Sequence, residues 1–303
     1  MATTITAPAP YSSVKESLIF EIDRTIDGVV EVEVNDYLKQ LPRNAYKVNV
    51  AHYYRENFTI VPVDDDFDSV LHVFDGLAHS RVIEASITVD QVYSDSVPVI
   101  YADKCPLENR FMSDLRRRTI MPGQIDELPV YVTGPSIVDC GFAKVSVPAG
   151  ISYIGFRVPN EVPSRFVVEL RLPGGKVLDR IEYEIEGNNG VRLAWINAYG
   201  QIDYWNFAVR RKSSTKIAKE KIYTESGYTS TLMQVDTTEM IISRPLPEAQ
   251  TDVLCQVFVA EDVWLIGDGE VRPVDITSES ITTYEVEKLS SIQVEYRNKI
   301  REL

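Results

Sequence analysis

Apolar and polar residues alternate along most of the chain. The clearest example is VVEVEVN at residues 29–35, which places Val30, Val32 and Val34 on one face. Successive side chains of a strand point to opposite faces, so this two-residue period predicts strands with one buried side. Four longer segments share the pattern, at 80–93, 144–159, 165–187 and 263–276. The pattern predicts an all-β fold of two or three β-sandwich-like domains with a few short helices.

Two hairpins can be assigned from their turn residues. LRLPGGKVLDR has Gly174-Gly175 between two alternating segments, and VWLIGDGEVRPV has Asp268-Gly269 in the same position. Such dipeptides favour the tight turns that join antiparallel strands. We therefore predict one hairpin at each place.

Helical signals are few and short. EVNDYLKQL offers Asn35 or Asp36 as a helix start, ENRFMSDLRRR can form two helical turns, and TTEMIISR has a threonine N-cap before a short apolar stripe. The C-terminal segment 284–303 fits both periods: Val286, Leu289, Gln293, Tyr296, Ile300 and Leu303 suit a helix, and Ile292, Val294 and Tyr296 suit a strand. The β-rich context favours a strand followed by a short tail.

The domain boundaries are placed at two changes in composition. MPGQIDELPVYVTGP at 121–135 has the prolines and glycines of a connection, and KSSTKIAKEK at 212–221 is polar and basic. We predict an N-terminal β domain at 1–125, a central β-sandwich domain at 126–212 and a C-terminal β-rich domain at 213–303. The second segment also fits a long excursion between strands.

Charge and cysteine content narrow the classes of function. The chain has 303 residues and a net charge of −14, which disfavours nucleic-acid binding because phosphates would be repelled. Its three cysteines have no metal-binding or disulfide spacing, as expected in a reducing compartment. The N-terminus lacks the basic and apolar regions of a signal peptide, and no apolar run is long enough to span a membrane. We expect a protein made in a cytoplasm.

An aromatic segment, WINAYGQIDYWNF at 195–207, is predicted to form a hairpin. Gly200 supplies the positive φ of a tight turn, and the side chains of Asn197 and Asp203 flank that turn, where they can bind local backbone N–H groups. Leu193, Trp195 and Asn197 share one face of the first arm; Asp203, Trp205, Phe207 and Val209 share one face of the second. The rings are divided between two faces, which favours a core or a subunit interface over a flat ligand platform.

Two basic clusters contrast with the acidic whole. Arg116, Arg117 and Arg118 would close a short helix, where cations suit the C-terminus. Arg210, Arg211, Lys212, Lys216, Lys219 and Lys221 follow the aromatic hairpin, with Glu220 the one opposing charge. Both a solvated surface and a charge-complementary contact between subunits fit these clusters.

No catalytic or metal-binding signature is present. His52, His72 and His79 have no motif spacing, and no serine lies in a nucleophile elbow. Asp64, Asp66, Asp68 and Asp75 match positions of a calcium loop, but Ser69 replaces the glycine that such a loop needs to turn. The segment SVLHVFD also alternates as a strand, which would carry Asp75 away, so an acidic solvated loop is the favoured interpretation. We predict no enzymatic activity, no cofactor and no metal.

The pattern Trp195-x-Asn197-x-x-Gly200-x-x-Asp203-x-Trp205-x-Phe207, followed by a basic stretch, resembles a motif in β-rich virion proteins of tailed phages that infect Bacteroidota, the crAss-like phages among them. Two further segments are similar to that group: KIYTESGYTSTLMQ at 221–234, rich in Thr, Ser and Tyr, and VWLIGDGEVRPVDI at 263–276. The resemblance covers the C-terminal part of the chain. It implies a structural component of the tail, such as a ring, barrel or hub subunit, working in a cyclic homo-oligomer.

We therefore predict a virion protein assembled in the bacterial host cytoplasm, whose partners are copies of itself and other tail or portal proteins. Neither a membrane nor a specific nucleic-acid sequence is expected as a partner. The aromatic hairpin would be a rigid domain core and the basic stretch a contact surface. A carbohydrate-binding β-sandwich of a phage adhesin or bacterial surface protein is the alternative. A hydrolase with dispersed Asp and Glu residues is a third hypothesis, and no particular carboxylate can be assigned to it.

Overall fold

A computed structural model describes residues 3–24, 30–41, 46–62, 70–75, 77, 80–187, 190–267, 270–278, 282–286 and 289–299. For residues 30, 209–211, 231–235 and 282–286 it describes the backbone alone. The helical elements are α1 (Ala51–Tyr54), α2 (Glu248–Leu254) and two 3-10 turns, Arg55–Asn57 and Cys255–Phe258. The strands are β1 (Thr3–Thr6), β2 (Ser12–Ser13), β3 (Ile19–Arg24), β4 (Val30–Val34), β5 (Tyr37–Leu41), β6 (Lys47–Asn49), β7 (Leu71–Asp75), β8 (Val82–Ala85), β9 (Thr88–Val89), β10 (Val92–Tyr93), β11 (Val97–Ile100), β12 (Arg110–Phe111), β13 (Arg117–Ile120), β14 (Ile125–Val132), β15 (Ser136–Asp139), β16 (Lys144–Val147), β17 (Gly150–Arg157), β18 (Arg165–Arg171), β19 (Val177–Ile185), β20 (Val191–Ile196), β21 (Ile202–Thr224), β22 (Gly227–Ile242), β23 (Leu246–Pro247), β24 (Val263–Gly267), β25 (Glu270–Ile276), β26 (Thr282–Val286) and β27 (Leu289–Asn298).

The predicted all-β fold is confirmed, because strands make up nearly all of the regular structure. The N-terminal part contains three small sheets, ordered β1-β3-β6, β10-β9-β4-β5 and β2-β11-β8. Their inward side chains form one hydrophobic core, which includes Phe20, Val32, Val34 and Val99. Val32 and Val34 lie on the buried face predicted for their strand.

The middle of the chain forms a sandwich of two sheets. One sheet has the order β12-β14-β17-β7 and the other the order β13-β19-β18-β15-β16. Apolar residues of both sheets meet in a second core, among them Leu128, Phe156, Val168 and Tyr183. Stacked sheets that share such a core are what a period-2 pattern produces when each sheet has one apolar face.

The C-terminal part forms a sheet that closes on itself. Its hydrogen-bonded neighbours follow the ring β20, β21, β22, β27, β25 and β24, and β24 pairs again with β20, all antiparallel. The short strands β23 and β26 pair with β27 outside this ring. Inward residues of the closed sheet and of α2 make a third core, which holds Trp195, Trp205, Phe207 and Leu254.

The three predicted helices are wrong. Asn35 and Asp36 both have positive φ and form the two-residue turn of the β4–β5 hairpin, so they act as turn formers and not as helix caps. The segment 108–118 pairs instead with β14 and β19, and 237–244 belongs largely to β22. In both segments pairing with distant strands prevails over a weak local helical period.

The strand predictions fare better. The β18–β19 hairpin turns at Gly174-Gly175 as predicted, and β24 pairs with β25 as expected, although Asp268-Gly269 lies outside the described residues. The C-terminal segment is the predicted strand β27, with Ile292, Val294 and Tyr296 buried. The helix α2 was not predicted from the sequence.

Strand pairing crosses both predicted boundaries between domains. The strand β13, before residue 125, pairs with β19, and β21 runs continuously through residue 212. The segment 212–221 lies within the single strand β21, so it is not the long excursion between strands that was considered above as the alternative. The division into 1–125, 126–212 and 213–303 stays a prediction.

Candidate functional site

The aromatic hairpin consists of β20 and the first part of β21. In its register Leu193 lies opposite Trp205 and Trp195 opposite Asp203, so the faces predicted from alternation are those of the structure. Trp195, Trp205 and Phe207 point into the closed sheet, where at most 1% of each residue is exposed. The rings are therefore part of this chain's own core, and a sugar cannot stack on them from solvent.

The turn of the hairpin is held by Asn197. Its side-chain oxygen accepts hydrogen bonds from the backbone N–H groups of Tyr199 and Gln201, at 2.9 and 3.2 Å. Its amide group donates to the carbonyl oxygen of Met112 at 3.1 Å. The predicted local role of Asn197 is confirmed, and the same side chain also ties the turn to a distant segment.

Gly200 is required for two reasons. Its φ is +67°, as the turn prediction demanded. In addition, a Cβ atom at this position would overlap the carbonyl group of Tyr101. The adjacent backbone N–H groups of Asp103 and Lys104 both donate to the carbonyl oxygen of Ala198, at 2.9 Å. The hairpin turn is thus where the N-terminal part docks on the closed sheet, which the sequence did not indicate.

Asp203 does not cap the local backbone as proposed from the sequence. Its carboxylate pairs with the guanidinium group of Arg118 on β13, and Arg118 also bonds Asp126 on β14 at 2.9 Å. All three side chains are fully buried. A buried ion pair lacks water's stabilisation, so each charge depends on its partner.

Two further buried arginines extend this cluster. Arg81, just before β8, forms an ion pair with Glu127 on β14, and Arg192 on β20 donates to the side chain of Asn206 at 3.1 Å. Arg192 also lies 3.8 Å from Asp126. We define the buried ionic cluster as these charged side chains: Arg81, Arg118, Asp126, Glu127, Arg192 and Asp203.

The electrostatics of the cluster keep Arg118 charged. Burial alone would lower the pKa of Arg118, but the carboxylates of Asp126 and Asp203 outweigh burial and raise that pKa. Burial raises the pKa of Asp203, and the charge of Arg118 only partly offsets this effect. Because every member is closed to solvent, the cluster as arranged holds sheets together and offers no face to a ligand.

The predicted arginine cluster at 116–118 is corrected here. Arg117 points outward and pairs with exposed Glu182 at 3.2 Å, whereas Arg118 points inward, as alternation on a strand requires. The sequence predicted a helix end with three solvated or intersubunit cations. Arg118 is instead the centre of an internal ion-pair network.

Beyond the closed sheet, β21 and β22 continue as a two-stranded ribbon. We define the ribbon as residues 212–238; its pairs run from Ser213, opposite Glu239, to Thr224, opposite Gly227. With a rise near 3.3 Å per residue, thirteen residues of β21 extend about 40 Å. From 212 to 230 every described side chain except Thr224 and Gly227 is exposed. Within the part of the chain that the structure describes, neither face of this stretch is covered by other residues.

The exposed ribbon carries apolar as well as basic side chains. Ile217 and Ile222 are 55% and 50% exposed, and Tyr223 and Tyr228 are 75% and 77% exposed. The two tyrosine rings contact each other edge to face at the tip, 5.2 Å apart. Of the predicted contact residues, Lys212 and Lys216 lie on this ribbon, while the side chains of Arg210 and Arg211 lie outside the described part.

The remaining candidate residues do not converge. The ring of His52 packs on Tyr53, His72 lies on β7, and His79 is outside the described residues. Asp75 ends β7, the strand predicted for that segment, while Asp64, Asp66 and Asp68 are outside the described part. Within the residues that are described, no three His, Cys, Asp or Glu side chains converge as metal ligands do. In the same part of the chain, no helix has the length and apolar character needed to cross a bilayer.

Comparison with known proteins gives no relative that identifies the chain. No protein family and no curated protein matches it. Among solved structures, SGBP-B of the Bacteroides ovatus mixed-linkage glucan utilization locus, in complex with a mixed-linkage heptasaccharide, is 11% identical with a TM-score of 0.20, over 94% of this chain and 74% of that one. The full extracellular region of plexin A4 is 11% identical with a TM-score of 0.19, over 99% of this chain and 40% of the plexin chain. With TM-scores this low, neither similarity bears on function.

Proposed function

We propose that this protein is a non-enzymatic structural subunit that assembles with copies of itself into a ring, with the ribbon as its contact element. The observation that carries the proposal is the ribbon's exposure on both faces. An isolated two-stranded ribbon is at best marginally stable in water, and it normally needs a third strand or a packed face. A neighbouring subunit that contacts the ribbon would supply this third strand or packed face.

The exposed apolar side chains support a protein partner. Complete burial of one isoleucine side chain contributes about 1.5–3 kcal/mol, so Ile217 and Ile222 together could supply a useful part of the free energy of association. Aromatic residues such as Tyr223 and Tyr228 are enriched at the centres of protein interfaces. Lysines on an exposed edge also prevent uncontrolled strand pairing, which suits an element that must meet one defined partner.

Charge distribution favours a second copy as that partner. The ribbon, residues 212–238, carries four basic and three acidic residues, whereas the rest of the chain carries 27 basic and 42 acidic residues. A weakly basic ribbon therefore meets an acidic body when one copy contacts the next. Repeated contacts of this head-to-tail kind close into a ring when the rotation between copies allows it.

The resemblance of residues 195–207 and the following segments to virion proteins of tailed phages supports the setting of this assembly. We infer a tail ring, barrel or hub subunit that is incorporated into the virion in the host cytoplasm, beside other tail or portal proteins. In that setting the buried aromatic hairpin and the buried ionic cluster act as the rigid base from which the ribbon extends.

Removal of the ribbon tests the proposal. Ser213 and Glu239 are opposite each other in register, so residues 214–238 can be replaced by an Asn-Gly turn that closes the shortened hairpin. We expect the intact protein to form a ring by light scattering and electron microscopy, and the shortened protein to be monomeric. A cooperative thermal transition and retention of the near-ultraviolet circular dichroism of the buried Trp195 and Trp205 would show that the body is folded. A ring that forms equally well without the ribbon, or an intact protein that neither assembles nor occurs in the particle, would refute the proposal.

A further inference from the structure

A groove on the body has the chemistry to receive the ribbon tip. It lies between the N-terminal segment, β7, β11 and the start of β17, with a volume of about 460 Å³. Its lining includes Tyr11, Val73, Phe74, Asp75, Glu84 and Pro98. The lining therefore mixes apolar and aromatic side chains with polar groups, and both charged side chains on it are acidic.

The floor of the groove is firmly held. The backbone N–H of Tyr11 donates to the carbonyl oxygen of Pro98 at 2.6 Å, and the ring of Tyr11 packs edge to face on Tyr131 with centroids 4.9 Å apart. A preformed pocket costs less to occupy than one that must be ordered on binding. An aromatic side chain entering from outside would find fixed apolar walls.

The two acidic side chains retain capacity for a cation. Asp75 accepts a hydrogen bond from the backbone N–H of Leu77 at 3.0 Å, and Glu84 accepts one from the hydroxyl of Ser96 at 2.9 Å. Both carboxylates are exposed, and within the described residues neither has an ion-pair partner. A basic side chain of a partner protein could therefore form an ion pair with either carboxylate.

The end of the ribbon presents the matching groups. Alternation along β21 places Ile217 and Lys219 on one face, and beyond a register shift between Glu220 and Lys221 it places Lys221 and Tyr223 on one face, with Tyr228 opposite Tyr223. The two exposed tyrosine rings at the tip are therefore followed along the ribbon by Lys221 and Lys219, with exposed Glu225 in the turn. Glu220 lies on the opposite face from Lys219.

A second groove on the body is a poorer fit. It has about 440 Å³ between the sandwich and the closed sheet, and its solvent-accessible charged lining residues are three arginines and two glutamates: Arg117, Arg165, Arg244, Glu182 and Glu184. Lysines arriving there would meet like charges, which costs free energy at an interface. Charge complementarity therefore selects the groove beside Asp75 and Glu84.

We infer that the ribbon tip of one copy docks in this groove of the next copy, with a tyrosine ring on the apolar and aromatic part of its lining and Lys219 and Lys221 against Asp75 and Glu84. The inference rests on the proposed assembly and names its contact surface. A ribbon on one side and a groove on another make a head-to-tail contact, as a ring requires.

Charge reversal on each side tests the contact. The ribbon variant K219E/K221E and the groove variant D75K/E84K should each raise the dissociation constant of assembly by about a hundredfold or more, because each places like charges together. Combining all four substitutions in one chain should restore assembly. Mixing the two variants should also restore it, because the altered ribbon then meets the altered groove and the natural ribbon meets the natural groove.

The control is K176E/R180E, an equal change of charge at two exposed side chains of the β18–β19 hairpin, which line neither groove and lie outside the ribbon, so it should leave assembly nearly unchanged. Circular dichroism would confirm that every variant is folded. If ribbon removal abolishes assembly but the mixed and combined variants do not recover it, the docking groove is wrong while the proposed function stands. A natural protein that neither assembles nor occurs in the particle overturns both.

Discussion

Gly200 is fixed by two separate constraints, one local and one distant. The positive φ belongs to the turn and follows from the sequence, since a tight turn between two alternating arms needs a residue without a Cβ atom. The close approach of Tyr101 comes from a segment far away in the chain. Asp203 also shows that local sequence does not predict contacts with distant residues. Alternation predicted the face on which Asp203 lies, but no local pattern indicated its ion pair with Arg118.

Replacing Gly200 with alanine separates these two constraints when Gly175 serves as the control. Both glycines have positive φ, but a Cβ atom at Gly175 has no neighbour within 4 Å. Left-handed backbone costs a non-glycine residue about 1–2 kcal/mol, so G175A should lose that much stability. G200A should lose about 3 kcal/mol or more, because the Tyr101 backbone must also move. Urea unfolding of both variants measures the difference, and equal losses would show that the contact with Tyr101 is unimportant.

At the scale of elements, the period of the side chains determined which predictions succeeded. The aromatic hairpin was predicted from alternation and forms as predicted, whereas β27 lies in a segment that fits both periods and was assigned correctly from its β-rich context. The segments 108–118 and 237–244 have short apolar stripes that fit either period. Residues in both segments form strands because they pair with strands that are distant in the sequence. The ribbon was recognised only as a polar stretch, because exposed strands lack the apolar face that makes alternation visible.

The ribbon should be the first element to open in the isolated protein. Its side chains make few buried contacts, and elements of this kind open locally at low cost. Trypsin should therefore cut after Lys216, Lys219 and Lys221 before it cuts elsewhere. Arg165 is the matched control, since its side chain is 76% exposed but its strand packs in the sandwich. Peptide mapping over time gives the order of cuts, and cleavage after Arg165 at the same rate would contradict the prediction.

At the scale of the whole molecule, the buried ionic cluster joins parts that separate hydrophobic cores would leave independent. Arg118 connects β13 and β14, which belong to the two sheets of the sandwich, with β21 of the closed sheet. Alternation in the sequence predicted several β units with cores of their own. It could not predict this connection, because the sequence does not show whether an arginine or a carboxylate is buried in an ion pair or exposed on the surface.

The variant R118M tests whether this connection makes the molecule unfold as one unit. It leaves Asp126 and Asp203 buried without their shared cation, and removing one partner of a buried ion pair costs about 3–5 kcal/mol. The neighbouring variant R117M removes an exposed pair and should cost at most about 1 kcal/mol. Calorimetry should show a single transition in the natural protein that R117M hardly moves, whereas R118M should lower it and divide it into two.

Two probes can follow the joined parts separately during the same unfolding. Near-ultraviolet circular dichroism of Trp195 and Trp205 reports on the closed sheet, and alkylation of Cys140, located by mass spectrometry, reports on the sandwich. Burial raises the pKa of the Cys140 thiol to about 12, so this cysteine stays unreactive until the sandwich opens. If Arg118 couples the two parts, the two transitions coincide in the natural protein and separate in R118M, which lacks the connection. Transitions that are separate already in the natural protein, or that stay coincident in R118M, would show that Arg118 does not couple the closed sheet to the sandwich.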